Sequence, residues 1–354
     1  MNILLLYNDF DGAYGSLAVF QKEILQSMKG TSYILVSASV EQTREICRKY
    51  KVDFSLAIGA FNQLTNGIPV YEVTGVHHYQ WLIDNPLKMN IDIDSSMITY
   101  ILIDRYFIYN LGPVKNAPLF MPLGIPEEFP TEIHRNKIEG IVFSGQIKNS
   151  NEQYEALNSV FHDEMVWKFI DEYEGSLKDS FERKFYDYFG GLPVKEQREI
   201  FRPLNTYFRA IKRKKILESI KDYPIYIIGE VCDEEIRRKR NIHILHEISY
   251  ECTWETISLY RYSLNINPNF YDGLHDRIIR SISWGTVPVT EDGAWCREIF
   301  GKKLLYYDFD DIQIEQSIAS FGGTTYPDLI YELQQEAKKF TWDLLIRKIK
   351  ERLT

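Results

Sequence analysis

The chain alternates short apolar runs with stretches whose apolar residues recur at helical spacing. In its first part, helices are predicted at residues 16–28 and 40–50. Strands are predicted at residues 2–7, 33–37, 54–58, 70–73 and 99–103. Strands that are apolar at nearly every position, and that alternate with helices, are typical of a parallel sheet covered on both faces. We therefore expect a first α/β domain over residues 1–125.

The same rhythm restarts after a proline-rich stretch. Residues 117–130 hold four prolines and a glycine, and this composition is typical of a linker between domains. Further strands are predicted at residues 140–143, 225–228, 242–245, 264–266 and 287–289. Residues 151–221 are highly charged and helical, and they lack strand signals. The second α/β domain is therefore predicted over residues 126–330, with this segment as a helical insertion.

The last segment, residues 331–354, is rich in Lys and Glu at helical spacing and is expected to pack back toward the first domain. Two successive α/β domains joined by one linker place a cleft at the carboxyl ends of both sheets, where such sheets bind ligands. The predicted fold class is therefore α/β, with two Rossmann-like parallel-sheet domains facing a cleft.

Composition narrows the partners and the compartment. A net charge of −9 argues against a nucleic-acid-binding surface, so any phosphate is expected in a local pocket. The four cysteines show neither the spacing of a zinc site nor that of a disulfide framework. The chain shows no basic leader region and no apolar run that could span a membrane. A cytoplasmic location is expected, and peripheral membrane association stays open.

Residues 264–292 carry the most informative pattern, a strand followed by a polar loop, a helix and another strand. The candidate ligand-binding residues there are Asn267, Gly273, His275, Asp276 and Arg277. The last three begin the predicted helix at 274–283, where free backbone N–H groups and the helix dipole favour a diphosphate. Arg277 can add a bidentate contact. The alternative is an ordinary loop, with Arg277 paired to surface carboxylates.

This run resembles the donor-site signature of GT-B glycosyltransferases, most closely that of the CgeB-like (glycosyl transferases group 1) type. The matching positions are Gly273, His275, Asp276, Arg277 and Gly285, with Thr290-Glu291-Asp292 at the end. The resemblance implies the GT-B fold and metal-independent transfer of a sugar from a nucleotide diphospho-sugar to an acceptor hydroxyl. It favours a UDP-sugar over a GDP-sugar as the donor and implies no tightly bound cofactor.

One departure from that signature concerns the ribose. Many retaining GT-B enzymes carry two glutamates eight positions apart, and the second binds the ribose, whereas this chain has Asp272 and Arg280. A guanidinium cannot accept hydrogen bonds from hydroxyl groups, so we expect Glu291 or Asp292 to make this contact. Retaining and inverting stereochemistry both stay open.

The resemblance extends to other parts of the second domain. Phe143-Ser-Gly-Gln146 resembles the first donor-domain loop, which implies that Gly145 lies near the diphosphate and that Lys148 assists. Gly229 ends the second donor-domain strand in the same likeness. Tyr250 is either a residue that stacks on the nucleobase or a half-buried residue at a helix start.

The first domain offers candidates on the acceptor side. Trp81-Leu-Ile-Asp-Asn-Pro86 resembles a strand-end motif that implies Asp84 faces the acceptor, which is a carbohydrate, a lipid or a protein. His77 is a candidate general base because imidazole titrates near neutrality, although a plain surface role stays open.

Two rival functions and one metal motif complete the sequence hypotheses. The rivals are a nucleotide-sugar 2-epimerase of the same fold and a catalytically inactive GT-B-like binding or chaperone partner. Asp-x-Asp pairs hold a divalent metal in GT-A enzymes. Here these pairs are predicted to be solvated loops, at Asp9 and Asp11, Asp92 and Asp94, and Asp308 and Asp310.

Overall fold

A computed structural model describes most of the chain and divides it into two compact units. The described residues are 2–6, 15–27, 32–36, 39–59, 67–89, 91, 95–130, 136–266, 270–321 and 325–352. The first unit comprises Met1–Glu127 together with Phe340–Thr354, and the second comprises Glu128–Lys339. The chain therefore leaves the first unit once and returns to it at its last helix.

The first unit is built on a six-stranded parallel sheet. Its strands are β1 (Asn2–Leu6), β2 (Ser32–Val36), β3 (Phe54–Ile58), β4 (His78–Leu82), β5 (Ile98–Leu102) and β6 (Leu119–Phe120), in the order β2-β1-β3-β4-β5-β6. Its first helices are α1 (Ser16–Ser27), α2 (Val40–Lys49), α3 (Val70–Thr74) and α4 (Ile108–Leu111), with 3-10 turns at Pro86–Lys88 and Arg105–Phe107. Strands β3, β4 and β5 are buried at every position, as expected of strands covered on both faces.

The prediction of a strand at residues 70–73 is wrong, because these residues form helix α3. A short apolar run does not distinguish a strand from a helix by periodicity alone. The flanking residues decide the outcome: Pro69 precedes the helix, and Gly75 ends it in the left-handed conformation, at a φ of 67°.

Strand β4 was not recognised as a separate strand because two of its five residues are polar. His78 is fully buried, with Nδ1 2.9 Å from Ser55 Oγ and Nε2 3.0 Å from Gln80 Oε1. Hydrogen bonding on both ring nitrogens allows this polar side chain to lie inside the sheet layer.

The second unit also contains a six-stranded parallel sheet. Its strands are β7 (Ile138–Ser144), β8 (Ile225–Ile228), β9 (Ile242–Leu245), β10 (Tyr260–Asn265), β11 (Val287–Glu291) and β12 (Leu305–Tyr307), in the order β12-β11-β10-β7-β8-β9. This is the Rossmann strand order, in which the chain changes direction across the sheet between β7 and β10. Such sheets bind ligands beyond the carboxyl ends of the strands at that switch point.

Helices cover this sheet and form the predicted insertion. The insertion consists of α5 (Ser150–Val160), α6 (Glu164–Glu174), α7 (Phe181–Phe189) and α8 (Val194–Ser219). The remaining helices are α9 (Glu234–Arg237), α10 (Tyr250–Ser258), α11 (Asp276–Ser283), α12 (Ala294–Phe300), α13 (Ile314–Ser320) and α14 (Tyr326–Ala337). The predicted class of two Rossmann-like parallel sheets, with a helical insertion in the second, is confirmed. None of the helices in the described part of the chain is both long and apolar enough to cross a bilayer.

An aromatic core holds the insertion together. Its fully buried members are Phe169, Tyr173, Phe181, Phe185, Phe189, Phe201 and Phe208. Ring centroids of Tyr173 and Phe208 lie 4.7 Å apart at 88°, the edge-to-face geometry that aromatic pairs prefer. This packing fixes one face of α8 against the other helices of the insertion.

The last helix, α15 (Trp342–Glu351), belongs to the first unit. The Trp342 side chain is fully buried, and its ring lies 5.5 Å from that of Trp81 and 6.0 Å from that of Phe20. Its indole N–H donates to Glu23 Oε2 at 2.8 Å. Gly124 packs against the same ring, because a Cβ there would lie 2.4 Å from Trp342 Cδ2. The C-terminal helix is thus part of the core of the first unit.

Replacing Trp342 by Ala should destabilise the first unit by about 3–5 kcal/mol, the usual cost of removing a buried tryptophan. The loss is measured by urea unfolding followed by circular dichroism. Leu344→Ala on the same helix is the control, because Leu344 is 38% exposed and its truncation should have little effect. Equal stability of the Trp342→Ala variant and the wild type would contradict the assignment of α15 to this core.

Candidate functional site

Helix α11 begins beyond the carboxyl end of β10, at the switch point of the second sheet. His275 is its N-cap residue, with Nδ1 3.2 Å from the Arg277 backbone nitrogen and 2.6 Å from Asp276 Oδ1. The side chains of His275 and Asp276 retain 16% and 11% exposure. The structure therefore brings together His275, Asp276 and Arg277 at a helix N-terminus, where backbone N–H groups favour an anion.

The His275 ring lies between groups of opposite charge. Burial lowers its pKa, and the positive charge of Arg277 lowers it further, against the opposing effect of Asp276. Its Nδ1 lies 2.6 Å from Asp276 Oδ1 and accepts a hydrogen bond from the Arg277 backbone N–H at 3.2 Å. His275 therefore contacts both the Asp276 carboxylate and the backbone of the first turn of α11.

Asp276 is an ionised carboxylate held by several neighbours. Burial alone would raise its pKa, yet His275, Arg280 and the Tyr250 hydroxyl together hold it well below its ordinary value. The Tyr250 hydroxyl donates to Asp276 Oδ2 and thereby ties α10 to α11. Asp276 therefore anchors the first turn of α11.

Arg280 is a buried residue whose positive charge acts on Asp276. It is 2% exposed, and its guanidinium carbon lies 5.6 Å from the Tyr250 ring and 5.9 Å from the Trp254 ring. A cation in this position supports Asp276 and packs on two aromatic faces. Arg280 thus has a structural role. Tyr250 is half-buried at the start of α10, and its stacking on a nucleobase stays a prediction.

Arg277 has a donor without a protein partner. Its guanidinium carbon lies 5.7 Å from the centroid of the Phe143 ring. Its Nη1 is buried and has no hydrogen-bond partner among the described residues. A buried donor that stays unpaired costs about 1–3 kcal/mol, so a site of this kind calls for an acceptor from a ligand.

Gly145 and Gly229 allow two loops at the ends of β7 and β8 to touch. Their φ angles are +154° and +141°, and a Cβ on Gly229 would lie 2.7 Å from the Gly145 carbonyl oxygen. Both positions therefore require glycine. Lys148 follows two residues beyond Gln146. Burial raises the pKa of the Cys232 thiol, and the charge of Lys148 opposes that shift.

Two arginines of α8 were not singled out from the sequence: Arg213, which lies against Phe143, and Arg209, whose charge acts on Arg213 and Arg277. Arg213 is 7% exposed, donates from Nη1 to the Gln146 carbonyl oxygen, and has its guanidinium carbon 5.6 Å from the Phe143 ring. Burial holds its pKa well below the ordinary value, and the charges of Arg209 and Arg277 lower it further. The signal for this pair was the spacing of four between two arginines in the basic run 209–215, which places both on one helix face.

Glu291 lies at the carboxyl end of β11. Its Oε1 is 3.8 Å from Lys212 Nζ, and its Oε2 is buried without a hydrogen-bond partner among the described residues. Burial raises its pKa, and Lys212 opposes that shift. Glu291 therefore keeps an acceptor oxygen that a ligand hydroxyl could use, as the sequence hypothesis of a ribose contact requires.

The loop before α11 is only partly described. Asn267 lies outside the described residues, as do the Asp-x-Asp pairs at Asp9 and Asp11 and at Asp92 and Asp94. Gly273 is buried. Asp272 accepts a hydrogen bond from the Trp295 backbone nitrogen at 2.7 Å, so this carboxylate caps the start of α12.

The structure does not bring together the two candidates of the first unit. His77 lies just before β4, with Nε2 2.8 Å from Thr99 Oγ1, and burial lowers its pKa. Asp84 lies just after β4, 48% exposed and 3.0 Å from Lys88 Nζ. At about 3.3 Å per residue, the two are roughly 20 Å apart at opposite ends of the strand. Only Asp84 lies at the carboxyl edge.

Comparison with known proteins establishes the fold. Neither a protein-family model nor a curated protein matches the chain. Among solved structures, AviGT4, a glycosyltransferase involved in avilamycin A biosynthesis, is 11% identical with a TM-score of 0.57, over 100% of this chain and 97% of that one. T4 phage BGT in complex with UDP and Mn²⁺ is 10% identical with a TM-score of 0.53, over 98% and 99%.

A third structure extends the same likeness. An alpha-glucosyltransferase in complex with UDP and a DNA 13-mer is 11% identical with a TM-score of 0.53, over 100% of this chain and 99% of that one. The likeness covers both units in all three cases. The chain therefore has the fold of these glycosyltransferases, the GT-B fold.

Replacing Asp276 by Asn should lower the free energy of unfolding by about 1–3 kcal/mol at pH 7, because a carboxylate with charge-assisted bonds is lost. A depressed pKa stabilises the fold above the unfolded-state value of about 3.9, and this contribution disappears as the pH falls below it. The difference between wild type and variant should therefore shrink below pH 4.

The measurement is denaturant unfolding at several pH values, with Asp187→Asn as the control. Asp187 is an exposed aspartate in the same unit, so its loss should be small at every pH. A difference for Asp276→Asn that does not change with pH would contradict the ionised anchor.

Proposed function

We propose that this protein is a glycosyltransferase that moves a sugar from a nucleotide diphospho-sugar to an acceptor hydroxyl. The single observation that carries the proposal is the buried, unpartnered Nη1 of Arg277 at the N-terminal turn of α11. It lies at the switch point of a Rossmann-ordered sheet, where phosphates bind helix N-termini. The GT-B fold adds support, because two of the similar structures contain UDP.

The reaction places negative charge where the site is positive. The bond between the anomeric carbon and the diphosphate oxygen breaks, and its electron pair stays on the diphosphate. The acceptor oxygen forms the new bond to the anomeric carbon and gives up its proton to a base. Arg277 and the N–H groups of α11 would stabilise the leaving diphosphate, an electrostatic effect that is commonly the largest catalytic term.

His275 and Asp276 act as positioning residues in this mechanism. They fix the first turn of α11 through the contact of Nδ1 with Oδ1 at 2.6 Å, so the donors face the diphosphate without reorganisation. Gly145 and Gly229 would let the β7 and β8 loops approach the donor, with Lys148 nearby. Asn267, Gly273, Tyr250 and Glu291 remain proposed contacts of the nucleotide.

The remaining details belong to the proposal as well. Arginine charge at the diphosphate favours a metal-independent reaction, and we propose a UDP-sugar as the donor. Asp84 is the proposed acceptor-side base because it lies at the carboxyl edge of its sheet. The acceptor is a carbohydrate, a lipid or a protein, and the CgeB-like subtype is part of the same proposal.

Donor binding is the direct test. UDP-, GDP-, ADP- and CMP-linked sugars are compared by thermal shift. A ligand at about 100 times its Kd stabilises the native state by about 2.7 kcal/mol. In a unit of this size, such a gain should raise the Tm by about 5–10 °C for the UDP-sugar. Absence of a shift with every donor would overturn the proposal.

Replacing Arg277 by Ala should reduce the rate of sugar transfer or donor hydrolysis roughly 100- to 1,000-fold, as removal of one oxyanion-stabilising donor does elsewhere. Release of the free nucleotide is the assay. Arg238→Ala is the matched control, because Arg238 is 81% exposed and should leave the rate unchanged. Full activity of the Arg277→Ala enzyme would argue against this site.

A further inference from the structure

Helix α8 supplies a buried cation that the mechanism above does not use. Arg213 is 7% exposed, yet its Nε has no hydrogen-bond partner among the described residues. Its Nη1 donates to the Gln146 carbonyl oxygen, and the ion pairs found within the described ranges include none with Arg213. Arginine is almost never buried without a counter-charge. This arrangement therefore calls for an anionic partner from outside the protein.

Arg213 and Arg277 converge on the same aromatic ring. Their guanidinium carbons lie 5.6 Å and 5.7 Å from the centroid of Phe143, which is itself fully buried. Arg209 lies one helical turn before Arg213 on the same face of α8, and its charge lowers the pKa of both other arginines. The three like charges repel one another, and the Asp276 carboxylate offsets that repulsion at Arg277, whereas no carboxylate acts on Arg213 among the described groups.

The two arginines reach Phe143 from different elements. Arg277 comes from α11, which follows β10, whereas Arg213 comes from α8, which precedes β8. A Cβ on Gly145 would lie 3.0 Å from Phe143 Cζ and 3.6 Å from Arg213 Nη2. Because Gly145 has no side chain, the guanidinium of Arg213 lies against the backbone of the loop that ends β7. The switch point between β7 and β10 therefore has cations on two sides.

We propose that Arg213 and Arg209 of the helical insertion bind the diphosphate together with Arg277, so that α8 forms one wall of the donor site. This inference rests on the proposed function and deepens it. Two cationic walls match a ligand with two phosphates, because each phosphate can accept charge-assisted hydrogen bonds from its own wall. A nucleoside monophosphate offers only one such group. The site therefore selects nucleoside diphosphates over nucleoside monophosphates, and the insertion is responsible for that selectivity.

Isothermal titration calorimetry tests the inference with UDP, GDP, ADP, UMP and inorganic pyrophosphate as probes. The variants are Arg213→Ala, Arg213→Lys, Arg209→Ala and Arg277→Ala, with Lys195→Ala as the control. Lys195 lies on α8 with a side chain that is 88% exposed, so this control removes the same charge without touching the site.

We expect the best-bound diphosphate to bind Arg213→Ala about 10- to 100-fold more weakly, which is the usual effect of losing hydrogen bonds to a charged group. Binding of UMP should change much less, so the preference for UDP over UMP should fall. Arg213→Lys should recover part of the loss, because it keeps the charge but not the bidentate geometry. Arg209→Ala should lower diphosphate affinity in the same direction, and Lys195→Ala should not.

The outcomes separate this inference from the proposed function. If Arg277→Ala weakens diphosphate binding but Arg213→Ala, Arg213→Lys and Arg209→Ala do not, the inference is overturned and the proposed function stands. If the wild type binds none of the five probes, both fail. Melting temperatures of the free variants identify a loss that is due to unfolding. If Arg213→Ala does not fold, Arg213→Lys and Arg209→Ala decide the matter.

Discussion

The second unit concentrates positive charge at the carboxyl end of β7, and the rest of its structure must accommodate that charge. Arg213 and Arg277 both lie over Phe143, and Arg209 adds a third charge. Asp276 is the carboxylate that acts directly on Arg277, and it is already held by His275, Tyr250 and Arg280. The N-terminus of α11, the glycine loop after β7 and the aromatic core of the insertion hold these arginines in position. Much of the unit therefore supports their placement.

The fold was accessible from the sequence because apolar runs and helical periodicity alternate cleanly. Strand β8 is a continuous apolar run and β3 has one serine among its apolar residues, and both were predicted from the sequence. The failures have local causes. Helix α3 is as apolar as a strand and is distinguished only by its flanking Pro69 and Gly75, whereas β4 carries two buried polar residues that hydrogen-bond each other. The local sequence pattern does not reveal that buried polar residues are hydrogen-bonded to each other in the folded structure.

The residues of the candidate site also divide into those that the sequence predicts and those that it does not. The motif at 273–277 is contiguous, so the sequence places its members together and predicts a helix there; the helix begins at Asp276, two residues later than predicted, with His275 as its N-cap. Arg213 reaches Phe143 across about seventy positions of sequence, and its local pattern shows only that it shares a helix face with Arg209, not that it is buried. Conversely, His77 and Asp84 are close in sequence yet lie at opposite ends of β4, because each residue of an extended strand adds about 3.3 Å to the distance between its ends. Arg280 shows a third case: the sequence indicates only that it cannot accept a hydrogen bond from a ribose, whereas in the structure its charge acts on Asp276.

The burial of Trp342 has a consequence for how the protein forms during synthesis. Because α15 completes the core of the first unit, residues 1–127 emerge from the ribosome without one of their packing partners, whereas the second unit is complete once residue 339 has emerged. Domains generally fold as units when their whole sequence is available. The order of assembly is then inverted relative to the order of translation: the later-made unit can complete its core first, and the earlier-made one must wait until α15 has been synthesised.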